Sequence, residues 1–150
     1  MNLPLITLVI NAVSTWFMTG VIWFVQIVHY PLFSEVGSAQ FQQYAEHHRQ
    51  LTSLVVAGPM LIELFTALLL VVLWKGPDRV LIWVALALLL GIWVCTICFS
   101  IPCHEKFCSE GFVANAHRWL VCTNWLRTVL WTIRGGLLAW VIFKSLVSKT

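Results

Sequence analysis

Two ionisable residues, Glu63 and Arg127, sit near the centres of long apolar runs, where a charge has to be explained. An unpaired charge at bilayer depth is costly, and an opposite charge nearby offsets much of that cost. Glu63 is the only acid within the apolar runs, so Glu63 with Arg127 is the natural pair. The run that holds Arg127, from Gly111 to Phe143, also carries His117, Asn124 and Arg134, at spacings of seven, three and seven residues. At 3.6 residues per turn these four fall in one stripe with Trp131. Such a stripe inside a membrane span faces a partner or a cavity. Arg134 has no evident acidic partner; it can reach toward the membrane surface or contact Asn11.

Histidine is the second chemical signal. His29 ends the first apolar run, His47 and His48 precede the second, His104 follows the third and His117 opens the fourth. If the runs alternate in direction, all five histidines share one end of the molecule. His29, His47, His48, His104 and His117 are therefore the candidate ligands for a transition metal or haem, with Glu35, Glu46 or Glu105 able to add a carboxylate. The plainer reading is a set of interfacial hydrogen bonds, because no HExxH or ExxH pair is present. Cys95 and Cys98 lie one turn apart inside an apolar run, which favours packing over redox chemistry. Cys103 and Cys108 flank HEKF in what reads as a loop, where an oxidising compartment would allow a disulfide.

The elements that must position these residues are four apolar runs, about 3–29, 51–74, 80–100 and 111–143. Each is long enough to cross a bilayer as a helix. The first exceeds the apolar core of a cleaved leader and reads as a retained span. Its Asn11, Thr15, Thr19, Gln26 and His29 share one face, and Pro31 ends or turns it. Residues 34–50 are the most water-compatible, and an amphipathic interfacial helix is expected to begin after Gly37 or Ser38. It can run straight into the second span, where Pro59 predicts a kink. Residues 75–79 make a short turn, and residues 101–110 a loop into the last helix.

Composition fits this picture. Hydrophobic residues make up 60% of the 150, and charged residues only 10%, against about 25% in soluble domains. The net charge of +3 comes from scattered basic residues, so nucleic acid is excluded as a partner. The fold class is all-α: a single domain, 1–150, forming an integral membrane four-helix bundle. Basic residues number four on the side of the termini (Lys75, Arg79, Lys144, Lys149) and three on the other (Arg49, Lys106, Arg118). By the positive-inside rule both termini are cytoplasmic, in a bacterial inner membrane.

Three segments carry a family resemblance. WLVCTNWLRTVLW, in which Asn124 and Arg127 supply an N-x-x-R pair, resembles the signature of small four-helix membrane proteins related to the anthrone oxygenase-like family. IPCH, with Cys103 and His104, is similar to that family's isoleucine-proline segment. The stretch from Trp23 through Gln26, His29, Tyr30 and Pro31 to Phe33 resembles a bacterial branch of it. The resemblance implies oxidation of a lipophilic polycyclic substrate without a bound cofactor.

Taken together, the residues point to a small membrane oxidoreductase or ligand-binding protein. Its polar cavity is expected between the first, second and fourth spans, opening toward the histidine end. Asn124 and Arg127 would orient a carbonyl or anionic group, with Gln26 and Trp131 also in contact and Glu63 balancing charge. His29 and His117 are the acid–base candidates, completing a catalytic set with Glu63 and Arg127. The expected partners are the bilayer, a lipophilic small molecule and a second copy of the chain. The alternatives are an oligomeric transporter or channel subunit, signalled by a continuous polar path, and a structural partner of a larger membrane complex.

Overall fold

The computed structural model describes residues 3–147; Lys149, counted above among the basic residues, lies outside them. Among the described residues, four helical stretches are long and apolar enough to cross a membrane: Leu3–Glu35, Ser38–Leu73, Arg79–Glu110 and Ala114–Val147. Their surfaces are inverted relative to a soluble protein. Leu54, Val72 and Val80 are 80%, 72% and 70% exposed, whereas Asn11, Thr15, Glu63, Asn124 and Arg134 are each 0% exposed. Apolar side chains outside and satisfied polar groups inside suit a hydrocarbon solvent, which offers polar groups no partners. The chain is an all-α, four-helix membrane-spanning bundle.

Helix α1 (Leu3–Phe24) continues through a wide π turn, Val25–His29, into a tight turn of 3-10 helix, Pro31–Glu35. Helix α2 (Ser38–Leu73) joins the amphipathic segment to the second span without a break and stays helical through Pro59. Helix α3 (Arg79–Cys95) passes through a second π turn, Thr96–Ser100, into α4 (Ile101–Glu110). Helix α5 is Ala114–Val147. Helix α1 packs on α2 and α5, α3 on α5, and α2 on α4.

The two π turns share a cause. Each precedes a proline, Pro31 or Pro102, which has no N–H to donate to the carbonyl four residues earlier. The widened turn re-pairs the backbone, with Tyr30 N–H donating to Val25 O at 2.9 Å. Such bulges often mark functional sites, and here they lie at the histidine end of their spans.

Two expectations need correction, and the disulfide that the sequence left open is not formed. Residues 101–110 are a helix rather than a loop. The last helix begins at Ala114 rather than Gly111, because Gly111 takes φ 77°, a left-handed conformation that ends α4 and that other residues reach only with strain. The disulfide between Cys103 and Cys108 is absent, and both thiols are free. Five residues along a helix rise about 7.5 Å, beyond the roughly 6.8 Å Cα separation a disulfide tolerates. An intact mass of air-exposed protein is accordingly expected to show five free thiols; the mass of one intrachain disulfide would contradict this helix.

Two apolar layers bracket the polar interior. The layer nearer the termini contains Leu5, Leu8, Ala12, Leu70, Ile82, Ala85, Leu138 and Val141. The other lies at the histidine end and is rich in aromatics, among them Phe33, Phe41, Phe107 and Trp131. At the terminal side Lys144 pairs with Asp78 at 2.6 Å, tying the end of α5 to the turn before α3.

Candidate functional site

The deepest polar layer is built around Glu63, but its partner is Arg134, not Arg127. Arg134 Nη1 lies 2.5 Å from Glu63 Oε1, with both side chains fully buried. Thr15 donates to the same carboxylate oxygen at 2.6 Å, and Trp131 Nε1 donates to Oε2 at 3.2 Å. Arg134 also donates through Nη1 to Thr15, through Nη2 to Asn11 Oδ1 at 2.8 Å and through Nε to Ala85 O at 3.1 Å. Asn11 in turn donates to Glu63 O and to Thr66 Oγ1. This network joins α1, α2, α3 and α5, so it fixes the register of all four spans. It fills the space where a cavity was expected between the first, second and fourth spans.

One and a half to two turns nearer the histidine end lies a different arrangement. Arg127 is 8% exposed. Its Nη1 donates to Ser100 Oγ at 2.8 Å and to Asn124 Oδ1 at 3.1 Å. Asn124 donates to Gln26 Oε1 at 2.9 Å, and Gln26 donates to Val121 O. Asn124 and Gln26 therefore brace Arg127 from behind and do not line a cavity. Trp131 sits beneath it, with the guanidinium carbon 5.3 Å from its ring centroid. Among the described residues Arg127 forms no ion pair, and its Nε has no hydrogen-bond partner.

Arg127 forms the floor of a cleft of about 360 Å³ between α2 and the α3–α4 segment. The second π turn helps to make it, because Ser100 is its last residue and meets Arg127 there. Val56, Met60, Leu61 and Trp93 supply the apolar walls. Tyr30, His48 and His104 line the end away from the terminal layer, and Arg49 and Glu105 flank the mouth. Tyr30, Trp93 and Ser100 were not anticipated from sequence as site residues. Tyr30 lies in the quoted H-Y-P stretch, but nothing in the pattern around Trp93 or Ser100 marks them.

The histidine end is real, yet its members do different things. His29 Nε2 and His48 Nδ1 are 2.9 Å apart, and Thr52 Oγ1 is 3.1 Å from the same His48 nitrogen. His104 Nε2 is 3.0 Å from the Tyr30 hydroxyl. His117 Nε2 donates to the Tyr30 carbonyl at 2.7 Å, which also accepts from Phe33 N–H. His117 thus secures the turn after the first π bulge and is kept from the cleft. His47 is exposed beside Gln43 and Glu46 on the outer side of α2. Phe33, fully buried, sits among the rings of His29, His48, His104 and His117.

This arrangement does not suit a metal ion. Among the described residues, no group of three or more His, Cys, Asp or Glu side chains is placed to hold one. Ligand nitrogens converge on a metal at about 2.0–2.1 Å. Here the His29 and His48 nitrogens bond to each other, and those of His104 and His117 bond to Tyr30.

No protein-family model, no curated protein and no solved structure matches the chain. The fold and site nonetheless define a class: a small four-helix integral membrane protein. It has a sealed polar layer at depth and a separate cleft floored by a buried arginine.

Proposed function

We propose that this protein binds an amphiphilic small molecule in the cleft above Arg127, with a carbonyl or anionic group of the ligand on the guanidinium. The observation that supports this is a buried cation with no carboxylate partner among the described residues, lining a cleft with apolar walls. A buried charge normally carries its compensation with it; here a ligand can supply the compensation. The apolar layer of Leu5, Leu8, Leu70, Ile82 and Leu138 lies beyond the sealed Glu63–Arg134 network. A single copy therefore offers a dead-end site, which favours binding over conduction.

The cleft opens at the side bearing Arg49 and Glu105.

The test is extraction of the purified protein with organic solvent, followed by mass spectrometry. A near-stoichiometric amphiphile is expected from the parent protein and not from Ala57→Trp, which places an indole at the cleft mouth. The same lipid profile from both proteins would refute the reading.

A further inference from the structure

Among the described residues, three buried side-chain polar atoms have no partner: Trp74 Nε1, Trp93 Nε1 and Arg127 Nε. Two of these three belong to residues lining one cleft. Both are donors, and a buried donor left unmade carries its full desolvation cost. Arg127 adds a positive charge whose bonded neighbours, Ser100 and Asn124, are neutral. The inner wall of the cleft is thus positively charged.

The geometry of Arg127 narrows the ligand further. Nη1 is held by Ser100 and Asn124 and Nε is sealed within the bundle, which leaves the Nη2 end of the guanidinium toward the cleft. A carboxylate supplies the opposite charge that this guanidinium lacks and an acceptor oxygen for it. Glu105, the acid in the lining, is exposed at the mouth, and exposed Arg49 beside it pairs with Glu46.

The opening fits a single chain arriving from lipid. Small residues, Ser53 and Ala57, lie one turn apart on the α2 side of the mouth. Leu61 and Ile101, 57% and 45% exposed, continue it down the lipid-facing surface. At about 360 Å³ the cleft is near the lower end for ligand pockets. It accommodates a head group and the first part of a chain, with the remainder in the bilayer.

Resting on the binding reading above, we propose that the ligand is a carboxylate-headed, single-chain amphiphile of the fatty-acid class. Its carboxylate pairs with the guanidinium of Arg127, among the described residues the one cation at the inner wall of the cleft without an acid partner, and its chain leaves between α2 and the α3–α4 segment toward lipid.

The test uses the full chain in nanodiscs of phosphatidylcholine, with radiolabelled oleate, its methyl ester and a decyl-substituted benzoquinone as probes. Counts retained by protein-free nanodiscs are subtracted. Oleate is expected to bind saturably, and the ester about tenfold or more weakly, since it forfeits the charge-assisted pair. Arg127→Gln should weaken oleate by at least about tenfold and leave the ester little changed. Arg127→Lys keeps the charge but moves it and loses the planar fork, and should weaken oleate by roughly threefold to tenfold; it carries the test if Arg127→Gln does not fold. Equal binding of oleate and ester, or oleate binding indifferent to both replacements, overturns the carboxylate assignment. Quinone binding that Ala57→Trp abolishes, without oleate binding, overturns the assignment but preserves the cleft as a binding site. Binding of every probe unaffected by Ala57→Trp overturns both.

Discussion

Replacing either Glu63 or Arg134 alone is expected to destabilise the bundle by about 3–5 kcal/mol, the cost typical of stripping one partner from a buried ion pair. Arg134→Met would leave the Glu63 carboxylate with only the Thr15 hydroxyl and the Trp131 indole as donors, in a site with no water-exposed side chain. It would also free Asn11 Oδ1 and Ala85 O. Glu63→Leu would leave the guanidinium facing neutral acceptors alone. The double replacement should cost well below the sum of the two, since neither charge then remains unpaired. The measurement is a double-mutant cycle on reversible unfolding in mixed micelles. The companion cycle with Glu63→Leu and Arg127→Met should be additive within about 0.5 kcal/mol, because those side chains belong to different layers. Strong coupling of Glu63 to Arg127, or none to Arg134, would show that the ion-pair assignment is wrong.

The second large effect is expected at Phe33. Its side chain is fully buried and its ring meets His29, Tyr30, Phe41, Tyr44, His48, His104, Phe107 and His117. These neighbours come from the turn after α1, from α2, from α4 and from α5. Phe33→Ala removes the ring that keeps them apart, and a loss of about 3–5 kcal/mol is expected for such a truncation. Phe33→Leu restores part of the volume and should recover a substantial part of that loss. The same unfolding measurement checks both. Amide exchange gives a second readout, since loosening should concentrate in residues 25–35 and 101–110 and spare the Glu63–Arg134 layer. A Phe33→Ala protein as stable as the parent would mean that the aromatic packing contributes little.

The two sites carry different kinds of information. The Glu63–Arg134 layer has all its groups satisfied, touches every span and is sealed from lipid, which is the mark of a structural device. The Arg127 cleft is under-satisfied and open at one side, which is the mark of a place for something else. Gln26 and Asn124 link Arg127 back to α1 and α5 and hold its charge in position.

Much of the architecture could be read from the residues alone. Apolar runs of more than twenty residues, almost free of charge, can only be bilayer spans, because hydrocarbon excludes unpaired backbone and charge. Alternation of those spans brought His29, His48, His104 and His117 to one end. The helical stripe through Asn124, Arg127, Trp131 and Arg134 is buried, as the period of the helix requires. Pairing was not settled by period. Measured from the histidine end, Glu63 lies 15 residues past His48, Arg134 17 past His117 and Arg127 only 10, so depth favours Arg134. That comparison depends on knowing that α2 and α5 run in the same direction and start at the same level. The cleft depended on tertiary structure still more. Ser100 meets Arg127 at the end of a widened turn, and Trp93 becomes a cleft wall only when α3 packs beside α2. A linear chain records which residues are costly to bury; which of them are left without a partner is decided when the helices close around them.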